Sequence, residues 1–401
     1  MQESMKSSTW QSKAAIFLGT SLQIVVLLFC FRLLIDTSTR MLYPFIPQLS
    51  AGLGVGVAGF SWLLFLRSWT GLIGPLFGVW ADRYGHKQMM LMGMLFLSAG
   101  SLGLVLVPGW WAIIPIMLTG LGTAAFIPAQ QAYISDLTPF ERRGRALAAI
   151  DMAFSVSGML ALPLIGWLIT HIGWKLPFFV LSLAGLFAAA VIKLRLADIG
   201  EHKAETLQLR TLLGALRVPR VAATVMVGLL IFLAYGVLIT VWSIWLSSDF
   251  QLDAIAIGLL ATLIAAAEWL GVLLSGLFID RIGKRRGSMI GLLLALLLML
   301  LLPFTGTELL PAQAVLIALG ASCEFTIVSL LSLFSEQYPQ ARATLFSLVS
   351  FGISIGLGIA SPLAVALWDW SGLAPISVLA ALSLGVALLL TQVWLHENAP
   401  S

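Results

Sequence analysis

Six ionisable residues stand in stretches otherwise made of leucine, alanine, isoleucine and phenylalanine: Arg32, Asp36, Arg40, Arg67, Glu268 and Glu324. A charge surrounded by hydrocarbon is costly unless it is paired or wetted, so such residues mark either structural ion pairs or a route for ions and charged solutes. Both readings stay open on the sequence. Arg32, Asp36 and Arg40 recur every four residues, which on an α-helix keeps them within about an 80° arc of one face. Glu268 or Glu324 can take a proton from one side and lose it to the other. Glu268 is the preferred carrier, because Ala265, Ala266, Ala267, Trp269 and Leu270 beside it offer no compensating charge. Three arginines can equally grip a carboxylate or phosphate.

These groups need elements to hold them, and the composition says which. With 60% hydrophobic and 10% charged residues over 401 positions, the chain has too little polar surface to coat a water-soluble globule. A bilayer core about 30 Å thick needs about 20 mostly apolar residues per helix. Such stretches are expected near 18–48, 57–80, 88–107, 112–136, 145–170, 176–195, 220–246, 256–279, 288–304, 312–336, 343–368 and 373–394, numbered spans 1 to 12. They are apolar on every face, as from Leu292 to Leu302, whereas barrel strands would alternate. The expected class is an all-α membrane protein. Span 1 lacks a small-residue cleavage site after its apolar core and reads as a retained span. At 1.5 Å per residue, Arg67 and Glu268 lie roughly 22 and 18 Å inside the boundary marked by Asp82 and Asp280, close to mid-membrane.

Short loops rich in Lys and Arg stay cytoplasmic. Of the 22 such residues, Lys175 falls on one side and Arg32, Arg40 and Arg67 lie within spans; all others fall on the opposite side with both termini. Both termini are therefore expected in the cytoplasm, and the net charge of +4 reflects topology, with no call for a nucleic-acid partner. Cys30 and Cys323, without Cys or His neighbours, read as packing residues, and no metal or cofactor motif is visible. No phosphate loop or nucleophile–base pair marks an enzyme, and without a nucleotide site the energy must come from a gradient.

The chain also repeats itself. Gly78-Val-Trp-Ala-Asp82-Arg83-Tyr-Gly85-His-Lys87 returns as Gly276-Leu-Phe-Ile-Asp280-Arg281-Ile-Gly283-Lys284-Arg285, and Ser135-Asp136-Leu-Thr-Pro139-Phe-Glu-Arg142 as Ser335-Glu336-Gln-Tyr-Pro339-Gln-Ala-Arg342. Two motifs recurring at nearly one offset indicate duplication, a transporter architecture. The expected units are residues 1–196 and 218–401, joined by a mixed-charge cytoplasmic linker at 197–217. Gly78 and Gly276 should permit close helix approach, while Gly85 and Gly283 should make tight turns with positive φ.

The repeated loop resembles the signature loop of the major facilitator superfamily, and Pro139-x-x-Arg142-Arg143-Gly144-Arg145 is similar to another family feature. Trp80 and Phe278 stand where the family pattern has Leu. The resemblance implies twelve spans in two pseudo-symmetric six-helix bundles, usually a monomer. It further implies that Asp82, Arg83, Asp280 and Arg281 act as conformational latches and do not select substrate. It places spans 1, 2, 8 and 10, which hold the six charges, around a central cavity that Gln130, Gln131 and Tyr235 would also line. Gly158-Met-Leu-Ala-Leu-Pro163-Leu-Ile-Gly166 resembles the antiporter motif of family drug exporters, with Leu162 and Trp167 where that motif has Gly. The expectation is a proton-driven exporter of small organic or amphipathic compounds in a bacterial inner membrane. A proton-linked importer of an anionic metabolite is the alternative, and a membrane receptor that keeps the fold without transporting is a remote one.

Overall fold

A computed structural model describes residues 20–139, 142–198, 214–306, 308–338 and 342–397. Every regular element among them is helical. Eleven helices among the described residues are long and apolar enough to cross a membrane: Leu22–Arg40, His86–Leu106, Gly109–Leu137, Arg143–His171, Lys175–Arg195, Pro219–Asp249, Ala254–Ile279, Lys284–Thr305, Leu309–Phe334, Thr344–Ser371 and Leu373–Trp394. They are spans 1 and 3 to 12. Span 2 is assembled from Gly56–Trp69, a 3-10 turn at Thr70–Ile73 and Gly74–Tyr84. Thr70 (φ −62°, ψ −24°) and Gly74 (φ −47°, ψ −45°) remain right-handed at the joints, so the three pieces follow one another without a reversal.

Two boundaries and one helix interior differ from expectation. Span 1 stops at Arg40, because Pro44 disfavours the helical region for Tyr43 and lacks the N–H a helix would need. A separate short helix, Ile46–Leu53, follows and turns into span 2 through a 101° bend. Span 9 begins at Lys284, directly after Gly283. Span 5 contains a π-helical turn at Ser157–Ala161, inside the glycine- and proline-rich segment singled out above.

Gly85 and Gly283 have φ of +93° and +94°, the backbone conformation that lets span 2 turn into span 3, and span 8 into span 9, within one residue. Gly276 does not mediate close helix approach: a methyl group built there would meet open space. The side chains of Gly78's neighbour Val79, of Asp82, Asp280 and Arg342, and the surroundings of Gly78 itself, lie outside the described residues, as do 199–213 of the expected linker.

Spans 2 and 11, and spans 5 and 8, form the seam between the two six-span units. Glycine makes that seam close: a Cβ on Gly258 would stand 2.9 Å from the Leu162 carbonyl oxygen, and one on Gly71 2.7 Å from Ser354 Oγ. Ser243 of span 7 donates to the Tyr43 carbonyl at 2.8 Å, near the end of the bundle away from the Asp-Arg loops. Large apolar side chains such as Phe304, Leu194 and Leu310 are about four-fifths exposed, as expected where lipid is the solvent.

Candidate functional site

The charged residues of span 1 divide between two partners. Arg32 Nε bonds both carboxylate oxygens of Asp36 at 3.0 Å, one helical turn away, and its Nη1 lies 3.2 Å from Asp151 Oδ1 on span 5. Asp36 is sealed in, whereas the Asp151 side chain is 47% exposed. Asp151 was not among the residues expected from sequence. The signal was available, an acid two turns inside span 5, but the basic run Arg142–Arg145 before it makes the region read as a helix end.

Arg40, two turns beyond Arg32, points to the other unit. Its Nη2 donates to Glu268 Oε2 of span 8 at 2.6 Å, and its guanidinium carbon lies 4.2 Å from the centre of the Phe154 ring. Gly158, in the π-turn of span 5, makes room for this bond. A Cβ there would stand 2.8 Å from Arg40 Nη2 and 2.6 Å from Ala265 Cβ. π-turns inside α-helices frequently mark functional sites, and this one sits where span 5, span 1 and span 8 converge.

Arg67 is 8% exposed and is held by hydroxyl groups: Nε donates to Thr119 Oγ1 at 3.2 Å, and Nη2 to Thr39 Oγ1 at 2.8 Å and Thr123 Oγ1 at 3.4 Å. Glu324, half-buried in span 10, makes no hydrogen bond or ion pair among the described residues, and lies within electrostatic reach of Glu268 and Arg40. Tyr235 of span 7, 5% exposed, lies with its hydroxyl beside Cys323 and Thr326. Gln131 is exposed and neighbours Asp151, whereas Gln130 is fully buried and donates to the Leu28 carbonyl at 2.6 Å, tying span 4 to span 1. Cys323 is partly buried, but Cys30 is exposed and so does not pack in the core as expected.

At the basic end each unit is tied by matching struts. His86 Nε2 lies 3.4 Å from Asp136, and its counterpart Lys284 pairs with Glu336. Lys87 Nζ contacts Asp198 at 3.2 Å just beyond span 6. Beyond span 12, Glu397 accepts from the backbone N–H groups of Lys284 (2.8 Å) and Arg285 (3.2 Å). Tyr133 donates to the Ala197 carbonyl, and Gln337 to that of His396. Arg143 Nε donates to the Thr138 carbonyl at 3.1 Å, bracing the turn into span 5, and Arg83 lies over the Tyr84 ring. The His86–Asp136 contact and the Lys284–Glu336 pair stand at equivalent positions of the two units, and the remaining struts join the same ends with different residue types.

Two repeated six-span units divided by a charged seam are the architecture of a secondary transporter. The chain belongs to the Major Facilitator Superfamily, whose pattern matches residues 28–238 and 224–401. This is a family of transporters and not of enzymes. The chain is 33% identical over 165 residues to the multi-drug resistance efflux pump PmrA of Streptococcus pneumoniae, a match covering 40% of this chain and 41% of the pump. Against multidrug resistance protein MdtG of Salmonella typhimurium it is 28% identical over 298 residues, 69% of this chain and 71% of the relative. In fold it resembles a solved bacterial homologue of the human lysosomal transporter Spinster, described as inward-facing and unoccupied. The TM-score is 0.78 at 15% identity, covering 94% of this chain and 98% of that one.

Proposed function

We propose that the chain is a secondary active transporter working by alternating access, and that it exports small organic or amphipathic compounds in exchange for protons. It acts as a monomer in a bacterial inner membrane, with the basic end and both termini in the cytoplasm. The observation that carries this reading is the Arg40–Glu268 bond of 2.6 Å, which joins the two units near mid-membrane. A proton on Glu268 removes the charge that Arg40 is paired with. Breaking a buried pair by removing one partner costs about 3–5 kcal/mol, and shifting a two-state equilibrium from 1:99 to 99:1 takes about 5.5 kcal/mol. The two are of one order, so a single protonation is a sufficient lever for most of the swing.

The seam contacts named above run from mid-membrane to the end away from the Asp-Arg loops, which supports an arrangement open toward the basic side. Asp151 supports it too, since a half-exposed carboxylate at that depth is tolerated against water and not against lipid. The loops bearing Asp82, Arg83, Asp280 and Arg281, with Asp136, Arg142, Arg143 and Arg342 beside them, govern the swing. Glu324, without a paired cation, offers a positively charged amphiphile its docking charge, with Tyr235 alongside. The relatives named as multidrug pumps point the same way. A second reading, symport of an anionic metabolite, is favoured by Arg67, which has no carboxylate partner among the described residues.

The test is fluorescence of a pH dye in acidified inverted vesicles, to which lipophilic cations, neutral compounds and organic anions are added. Proton release by some compounds, abolished in Glu268→Gln and with cations lost selectively in Glu324→Gln, is the expected result. If competent vesicles release no protons with any compound, export by exchange is refuted and anion symport takes its place. If Glu268→Gln leaves release intact, Glu268 is not the carrier.

A further inference from the structure

Of the three arginines inside the spans, two meet carboxylates: Arg32 lies between Asp36 and Asp151, and Arg40 on Glu268. Arg67 differs. Its three hydrogen bonds all go to threonine oxygens. Those hydroxyls spend their own protons on helix carbonyls: Thr119 on Ile116, Thr123 on Thr119 and Thr39 on Ile35. They therefore serve Arg67 purely as neutral acceptors, on spans 1 and 4 both, and fix its orientation without touching its charge.

A guanidinium has five N–H groups in a planar fork. Nε spends one on Thr119 and Nη2 spends two on Thr39 and Thr123. Both N–H groups of Nη1 remain without a hydrogen bond among the described residues, in a side chain that is 8% exposed and has Tyr43 within electrostatic reach. A buried cation oriented by neutral groups, with two N–H groups unspent, is arranged to bind an anionic group. Nearby Gly120 is part of the build: a Cβ there would press on the Arg67 side chain at 3.0 Å.

We propose that Arg67, positioned by Thr39, Thr119 and Thr123, is an anion subsite that takes a compact monovalent anionic group on Nη1. The group is either chloride from solution or the carboxylate of a carried compound. The inference stands whichever way the protein transports, because binding is read without flux.

The purified full chain in detergent is melted in gluconate buffer, then with chloride, then with benzoate, and benzoate is repeated in saturating chloride. Wild type should gain on the order of 3 °C with at least one of the two anions. Arg67→Gln should gain nothing, and Arg67→Lys, which keeps the charge but loses the fork, should gain less than wild type. Stabilisation by chloride that benzoate cannot add to assigns a free inorganic anion. Stabilisation by benzoate that persists in chloride assigns a carboxylate. Equal shifts in wild type and Arg67→Gln, or no shift with either anion in wild type, overturn the proposal. If Arg67→Gln does not fold, an Arg67→Lys shift equal to that of wild type does the same.

Discussion

The two six-span units share a backbone plan and treat charge in opposite ways. The first holds two of its three buried arginines within itself, Arg32 on Asp36 and Asp151 and Arg67 on three threonine hydroxyls, and sends Arg40 across the seam. The second leaves its carboxylates facing outward, Glu268 bonded to Arg40 of the other unit and Glu324 within electrostatic reach of the same arginine but without an ion pair among the described residues. A charge satisfied within one rigid body is indifferent to how that body moves. A charge satisfied across the seam is not, and it is there that an equilibrium between conformations can be biased. The duplication supplies the frame, and its polar residues diverge at the seam.

The comparison is broken most severely at the seam. Arg40→Gln and Glu268→Gln should each destabilise the protein by about 3–5 kcal/mol, by stranding the partner charge, while the double variant should recover much of that loss. Thermal unfolding of all four proteins closes the cycle, and simple additivity would show that the bond does not couple the units. Within the first unit, Asp36→Asn should cost about 1–3 kcal/mol, because a sealed partner of Arg32 is lost, and Asp151→Asn under about 1 kcal/mol, since its side chain is 47% exposed. Equal losses would mean that exposure does not distinguish the two acids.

Two glycines sharpen the contrast further. Gly158→Ala must push Ala265 or Arg40 aside and should cost about 1–3 kcal/mol, whereas Gly276→Ala meets open space inside a helix and should be neutral or stabilising by up to about 1 kcal/mol. A stable, active Gly158→Ala would remove the π-turn from the account. The smallest effect is expected at the basic end. Lys284→Gln should cost under about 1 kcal/mol, because the Lys284 side chain is 33% exposed, and a larger loss on thermal unfolding would show that the Lys284–Glu336 strut is more than a surface pair.

Much of this was readable beforehand, for reasons that differ by residue. Gly85 and Gly283 announce themselves because few other residues tolerate positive φ between abutting helices, and the spans follow from the length of apolar runs. The charges inside the spans are conspicuous because hydrocarbon makes them rare. Their partners were not readable: Arg40 and Glu268 are 228 residues apart and meet through packing that no local pattern records. Gln130 and Gln131 are adjacent and chemically identical, and only the rotation of span 4 sends one to the Leu28 carbonyl and the other outward. Gly276 shows the converse. A glycine at a repeated position suggested close approach, and the structure leaves open space there.

The seam has one more implication. Span 2 lies against span 11 as span 8 lies against span 5, the reciprocal pairing of a two-fold homodimer in which each subunit offers the other the same patch. In such a dimer every contact occurs twice. The Arg40–Glu268 bond occurs once, for at the offset of the repeated loops Arg40 corresponds to Leu238 and Glu268 to Thr70, neither of them charged. Fusing two copies into one chain removes the requirement that an interface be its own mirror, and a directional device, with acid on one face and base on the other, becomes available to it.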